Sequence, residues 1–566
     1  MQNINSNQIS FLKQLIDKNQ FSEAHHQINK FIASKNMNPD VINLKGVLFK
    51  KQKKYEIAKK YFMLNIKNYP LDPSCNFNLA NLFAETNQFD KAIYYYKRTE
   101  KYGTSKLVFS ALNNLGVIFK KKKDFNKALQ YFNKARKNQP NVWYTYNNIA
   151  DVYFEIENYK KALNFYEESE KKNPNLCMNK ANTLRYLGKY NESRKLLEKI
   201  LSTKKNDFLV AYNLANVYLE LGFFKKSIEM LKRSILLKPN FFDALYCLSR
   251  INFLLNKQNE FAKFHHYRCY LREHFTTKIL EDKKSKYKFE DAIQSASNKI
   301  IFYAEQGIGD EIFFASLINS FTKEYENEVA ICCSNRLKNI FKLSFPNNLI
   351  IDENDLKNKK NLNSFEIQLP IGSLLENFKP KKMPKNFGKQ YLFSNAELNL
   401  KWKKQLRFDN SYKIGISWSG GATKFQQSKR TLPLKMFLDV FSTNVCLINL
   451  QYGSERFKLK KYQQTFKRNI IDFVDIESSD NFDDYFSLIS QLDLVITCDN
   501  TVAHIAGSLG IKTYLLLNKI PDFRWGIKSN KTPFYQSIEI IRQIKNNSWK
   551  EPLKILKEKI NTLIKN

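Results

Sequence analysis

Apolar positions in the first half of the chain recur with a helical period, and the whole pattern then repeats. Small residues stand at Gly46, Ala80, Gly116, Ala150, Ala181, Ala215 and Ser249, separated by 34, 36, 34, 31, 34 and 34 residues. An aromatic follows three positions later at Phe49, Phe83, Phe119, Tyr153 and Tyr218, with Leu184 and Asn252 departing from the rule. A second small residue comes twelve positions after the first, at Ala58, Ala92, Ala128, Ala162, Ser193 and Ser227. Four residues on stands a large one: Phe62, Tyr96, Phe132, Tyr166, Leu197 or Leu231. Small residues let two antiparallel helices cross closely, large ones fill the gap, and Pro70, Pro140, Pro174 and Pro239 close units. The first unit is expected to keep only its second helix (Phe21, Ala24, Ile28, Phe31), and 241–275 to end the array as a degenerate repeat or capping helix.

Period and pattern over about 240 residues resemble the tetratricopeptide repeat. Such arrays present a concave face to a peptide, a partner protein or another copy. Asn76, Asn113, Asn147, Asn148, Asn179, Asn182, Asn213 and Asn216 recur near the starts of first helices, where amides suit an extended peptide backbone. Asparagine is also common throughout the chain, which is an equal explanation. His25, His26, His265 and His266 lack carboxylate or cysteine partners at ligand spacing and read as surface residues.

Beyond a polar, Lys-rich stretch at 276–299 the period changes to buried strands alternating with helices. Strands are expected at 300–305, 329–333, 349–351 and 365–369. After an irregular Lys/Pro segment at 379–389 they resume at 414–418, 445–451, 470–474, 494–497, 513–517 and 538–541, with a last helix near 552–564. The expected organisation is therefore α + α/β. An N-terminal α-solenoid (1–275) and a linker (276–299) precede an acceptor-side lobe (300–400) and a nucleotide-sugar-side lobe (411–566), both Rossmann-like.

Each lobe has a glycine turn after its first strand. The first is Gln306-Gly307-Ile308-Gly309-Asp310; it lacks the Walker ending and the third glycine of the dinucleotide fingerprint. Asp310 falls in the first turn of the next helix, as a cap or as a carboxylate base facing a cleft. The second turn is Trp418-Ser419-Gly420-Gly421, followed by Lys424, Lys429 and Arg430, enough charge to meet a diphosphate. Farther on, Asp499 and Asn500 precede a short helix of small residues, so an anion site at its N-terminus and an ordinary capped helix are both open.

Composition narrows the classes. The formal net charge of +38 raises nucleic acid or acidic lipid as partners, but lysine is spread along the chain without an Arg-rich stripe. The run Lys120–Lys123 falls at an expected turn. No specific nucleic-acid partner is expected; peripheral contact with an acidic membrane surface and self-association through the array stay open. Eight scattered cysteines without a CxxC argue against a disulfide framework or a zinc site. Without a signal-peptide pattern or an apolar run of roughly 18–20 residues, a cytoplasmic location is expected.

The segments AEQGIGDEIFFASLI, QLPIGSLL, IGISWSGG, SKRTLPL, INLQYG, CDNTVAHIAGSLG, PDFRWG and IIRQIKNNSW, in this order and spacing, resemble glycosyltransferase family nine, the heptosyltransferases. A closer likeness is to a branch of that superfamily in which tetratricopeptide repeats precede the transferase domain, an architecture similar to the repeat-bearing O-GlcNAc transferases. The resemblance implies a two-lobed GT-B fold and inverting, metal-independent transfer from a nucleotide-diphosphate sugar, with no cofactor. It implies Asp310 as the base, with Gln306, Gly307 and Gly309 on the acceptor-side loop. Donor binding would fall to Trp418, Gly420, Lys429, Arg430 and Gln451, and to Asp499, Asn500, Thr501, His504 and Arg524. His504 packing under its helix to orient Asp499 is the alternative for that residue. Asn500-Thr501 replaces the family's usual Thr-Gly, and the acceptor lobe has no basic motif matching a lipid A core. A protein or surface glycan is therefore the expected acceptor, with the repeats recruiting it. The alternatives are a non-catalytic repeat scaffold with a degenerate transferase-like domain, and a charge-driven polyanion binder.

Overall fold

The computed structural model describes residues 6–33, 38–174, 177–271, 289, 293, 299–325, 328–352, 365, 367–407, 411–442, 445–459, 462, 470–473, 476 and 482–565. The expected linker at 276–299 lies almost wholly outside the described residues, as does part of the strand expected at 470–474. The chain forms two compact units, Met1–Leu196 and Leu197–Asn566.

The first unit is a run of antiparallel helix pairs, such as Pro39–Lys51 with Tyr55–Asn68 and Ser105–Lys121 with Phe125–Asn138. The small and large positions meet as their chemistry requires. A Cβ on Gly116 would lie 2.5 Å from the Phe132 ring, and one on Gly46 would collide with Phe62. The aromatic three positions after the small residue stacks on the second helix: Phe49 on Tyr61, Phe83 on Tyr95, Phe119 on Tyr131 and Tyr153 on Phe165. Helices within a pair are joined by one left-handed residue, Asn19, Lys53, Asn87, Lys123 or Glu157. Its successor's N–H closes the turn, as Lys54 does to the Phe49 carbonyl and Asp124 to that of Phe119. Pro70, Pro140 and Pro174 each follow a helix end.

Three expectations need correction here. The first repeat is a complete pair, because Ser6–Asp17 forms a helix that buries Leu12, Leu15 and Ile16 against the second helix. The Lys120–Lys123 run is only half turn, since the helix continues to Lys121. His265 is buried at 0% exposure, in the second unit, against Phe261 and Tyr246.

The second unit begins with helical repeats, Phe208–Leu221 with Phe224–Leu237 and Phe242–Leu254 with Gln258–His265. Two parallel sheets follow. The first contains β1 (Lys299–Tyr303), β2 (Glu328–Cys333), β3 (Leu349–Asp352) and β4 (Ile367–Pro370) in the order β3-β2-β1-β4. The second contains β5 (Tyr412–Ile416), β6 (Val445–Asn449), β7 (Ile470–Ile471), β8 (Leu494–Cys498), β9 (Thr513–Leu517) and β10 (Ile538–Arg542) in the order β10-β9-β8-β5-β6-β7. All these strand pairs are parallel. Their inward faces are continuous apolar runs, as strands covered on both sides require. Strand order reverses beside β1 and beside β5, and a crevice opens at the carboxyl ends of strands at such points.

The last repeat does not stand apart from the sheets. Phe253 and Phe261 belong to the same core as Phe378, Phe523 and Phe534. Below it Arg268 is fully buried between Glu305, which follows β1, and Glu376. Burial pushes the Glu376 carboxyl up to about 7 although Arg268 is 3.1 Å away, because that guanidinium also serves Glu305. Burial, with Arg268 nearby, holds His265 neutral, well below the usual imidazole range.

Candidate functional site

A cleft of about 760 Å³ lies in the second unit, lined by both glycine turns, the start of the Thr501–Ser508 helix, the 522–524 loop and Tyr246 and Arg250 of the last repeat. Its walls sit at the two points of strand-order reversal.

On the first wall, Gln306 adopts φ 64°, a left-handed conformation uncommon for a side-chain-bearing residue. Its Nε2 is buried with no hydrogen-bond partner among the described residues. Gly307 caps the Ile308–Ala315 helix, and its N–H donates to Asp310 Oδ2 at 3.3 Å. Gly309 lets this helix meet the one after β8: a Cβ there would lie 3.0 Å from His504 Cδ2 and 3.7 Å from Thr501 Cα. The Asp310 carboxylate also pairs with the Arg524 guanidinium. Burial outweighs that attraction and pushes Asp310 above the ordinary carboxylate value.

The second wall is stitched by amides. Gln451 Oε1 accepts from Ser417 Oγ (3.0 Å), Trp418 N (3.0 Å) and Ser419 N (2.8 Å), fixing the turn after β5. Asn500 caps the Thr501–Ser508 helix and ties that turn to this one, donating to Ser417 Oγ at 2.7 Å and the Ser419 carbonyl at 3.1 Å. Gly420 is required because a Cβ would strike the Asp499 carbonyl and Asn500 Cβ. Thr501 lines the cleft, its hydroxyl 3.3 Å from Tyr452 Oη.

Three arginines and three aspartates form one network here. Asp499 accepts from Trp525 Nε1 at 2.8 Å and pairs with Arg430 Nε at 3.1 Å. Asp522 lies near Arg524 (2.8 Å), Arg250 (3.0 Å) and Arg430 (3.7 Å). Burial alone would raise the Asp522 carboxyl, but these guanidiniums outweigh it and hold it well below the usual range. Oxygen-rich anions are the ligands such a polar, guanidinium-lined crevice suits.

Two sequence-predicted donor-binding residues, Trp418 and Lys429, stand outside the cleft lining, while His504 borders it almost wholly buried. Trp418 turns its ring into the core with Ile414 and Ile416, because the three share one face of the β5 extension. Lys429 is engaged by Glu220 of the repeat helix Phe208–Leu221 at 2.7 Å and does not line the cleft. His504 is 2% exposed, accepts or donates at 2.8 Å with Tyr535 Oη, and stacks on Trp525. Trp525, rather than His504, orients Asp499, while burial keeps His504 neutral, well below its usual range. Arg250, Tyr246 and Asp522 were not singled out from sequence; Asp522 stands in the PDFRWG segment, but the other two look like ordinary repeat positions. Among the described residues no group of three or more His, Cys, Asp or Glu is placed to hold a metal ion. Among the described residues no helix is long and apolar enough to cross a membrane.

Comparison with known proteins reaches the repeats. Tetratricopeptide-repeat families match residues 107–171, 175–206 and 210–241. Protein FlbA of Caulobacter vibrioides is 22% identical over 256 residues, 42% of this chain and 42% of FlbA, so the match spans about two fifths of that relative. Similar solved structures include the APC/C hetero-tetramer Cut9–Hcn1 (19% identity, TM-score 0.36, 42% of this chain and 48% of that one). Another is the C-terminal part of a repeat protein from Cytophaga hutchinsonii (18% identity, TM-score 0.34, 42% of this chain and 98% of that one). The N-terminal solenoid is a tetratricopeptide-repeat array, followed by a pair of α/β lobes.

Proposed function

We propose that the array is a protein-interaction scaffold and that the cleft binds a nucleotide-diphosphate sugar. The first part rests on the repeat matches and the pattern of the helices. Asparagines link consecutive repeats, Asn78 donating to Asn43 at 3.0 Å and Asn148 to Asn113 at 2.9 Å, which fixes their amides along one line of the array. The second part rests on one observation: two glycine turns, a helix start and Arg430 converge at strand-order reversals around a cleft of about 760 Å³.

The finer reading is a GT-B-type inverting glycosyltransferase. The acceptor hydroxyl oxygen bonds to the anomeric carbon as the diphosphate oxygen leaves. Asp310 takes the hydroxyl proton, and Arg430 with the Thr501 helix start meets the departing charge. Because Asp310 must be ionised and burial raises its carboxyl, the acid limb of the rate profile is expected at a higher pH than a solvent-exposed aspartate would give. Asp310→Asn is expected to abolish transfer and spare nucleotide binding. Transfer should be insensitive to a chelator.

A non-catalytic scaffold is the second reading, favoured by the repeat matches and by the engagement of Asp310 with Arg524. Calorimetry with ADP, GDP, UDP and CDP separates the two. Selective binding of one, lost in Thr501→Val or Arg430→Gln, supports the cleft reading; binding of none leaves the scaffold alone.

A further inference from the structure

We propose that Arg250, carried by the last repeat of the array, is an anion-binding residue of the cleft and takes the diphosphate of its ligand. The inference rests on the cleft reading above and extends it: the ligand site is built jointly by a repeat helix and the α/β lobes.

Charge accounting singles this residue out. Arg430 has a carboxylate of its own in Asp499, and Arg524 has one in Asp310. Among the described residues Arg250 has only Asp522, which it shares with both other arginines. Its Nη2 reaches Asp522 at 3.0 Å, while its Nε is buried without a hydrogen-bond partner. A buried guanidinium edge left unpaired is costly unless an acceptor arrives, and this one lines a cleft that Gln306 also supplies with an unpartnered buried donor.

The guanidinium is also held in place. It lies over the rings of Phe523 (5.2 Å) and Tyr246 (5.7 Å), which favour a cation and restrict the side chain to the cleft wall. Its side chain keeps 42% of its surface accessible, so a ligand can reach it. A planar, pre-placed fork with free donors suits a phosphate oxygen.

The rival is a clamp, in which the Arg250–Asp522 pair merely fastens the repeat to the loop. Calorimetry on the full chain with inorganic pyrophosphate, the four nucleoside diphosphates and their parent nucleosides decides between them. Arg250→Gln is expected to weaken pyrophosphate and the preferred diphosphate about tenfold and leave the nucleoside unchanged, with Arg250→Lys recovering part of the loss. In the unaltered protein, pyrophosphate should protect Arg250 from an arginine-selective dicarbonyl reagent mapped by mass spectrometry, which needs no variant to fold. If the protein binds a diphosphate but Arg250→Gln binds it equally well, or Arg250 is not protected, the inference falls and the cleft reading stands. If neither pyrophosphate nor any nucleotide binds, both fall.

Discussion

In the array one close approach recurs, a small residue beneath a large side chain, as at Gly46 with Phe62 and Gly116 with Phe132. In the α/β lobes the approaches are varied: Gly309 meets His504, Gly415 meets Leu450 and Leu492, Gly420 meets the Asp499 carbonyl, and Gly507 meets the ring of Tyr535. Buried polar groups divide the same way. The first unit buries mainly hydroxyls and amides that bond nearby carbonyls, such as Thr99 to Tyr95 and Ser193 to Ala181, with Lys45 as its one buried charge among the described residues. The second unit buries full charges, Arg268 with Glu305 and Glu376. A reiterated device spreads the consequence of any one change; a unique charged cluster concentrates it.

The largest break in that contrast is expected at Arg268→Met. It strands two carboxylates in the core and should cost about 3–5 kcal/mol in denaturant unfolding. A loss below about 1 kcal/mol would show that water reaches the cluster. Next comes the pH response. Glu376 is raised from 4.5 to about 7, so between those values the folded chain keeps a proton that the unfolded chain has lost. Stability from this group therefore falls as pH rises from 4.5 to about 7 and then levels off, and Glu376→Gln should flatten that part of a stability–pH curve.

In the array, Gly116→Val forces a branched side chain against the Phe132 ring and should cost about 1–3 kcal/mol, with Gly116→Ala milder. Equal costs for Ala and Val would mean that the helix pair moves apart as a whole. Asn148→Ala removes one inter-repeat hydrogen bond and should cost about 1 kcal/mol or less, seen as a small shift in the unfolding midpoint. A partner peptide that binds Asn148→Ala as tightly as the parent would exclude that amide from the recognition surface.

The contrast also governs what the sequence could convey. The repeats were legible because one small-over-large solution recurs at a fixed interval, while the Ser6–Asp17 helix carries neither the small residue nor the aromatic of the others. The two glycine turns and the helix after β8 were legible because local φ requirements and capping are written in adjacent residues. Partnerships across the chain were not. His265 reads as exposed in the sequence because Arg268 and Gly372 beside it belong to a cluster completed about a hundred residues away, by Ser373 and Glu376. Lys429 reads as a phosphate ligand in the sequence, but its partner is Glu220, on a repeat helix about two hundred residues earlier. Trp418 was misplaced for a local reason, since strand alternation beyond Ile416 already assigned its ring to the core.

Phe253 and Phe261 share a core with Phe523 and Phe534, and Arg268 closes a cluster with Glu305. This has an evolutionary consequence. Recombination that joined these lobes to a foreign solenoid at the change of sequence period would remove half of an aromatic core and the only cation of a buried acidic pair described there. The inheritable piece thus includes the last repeats, and lineages are expected to lengthen or shorten the array from its amino-terminal side while the repeats next to the lobes stay as they are.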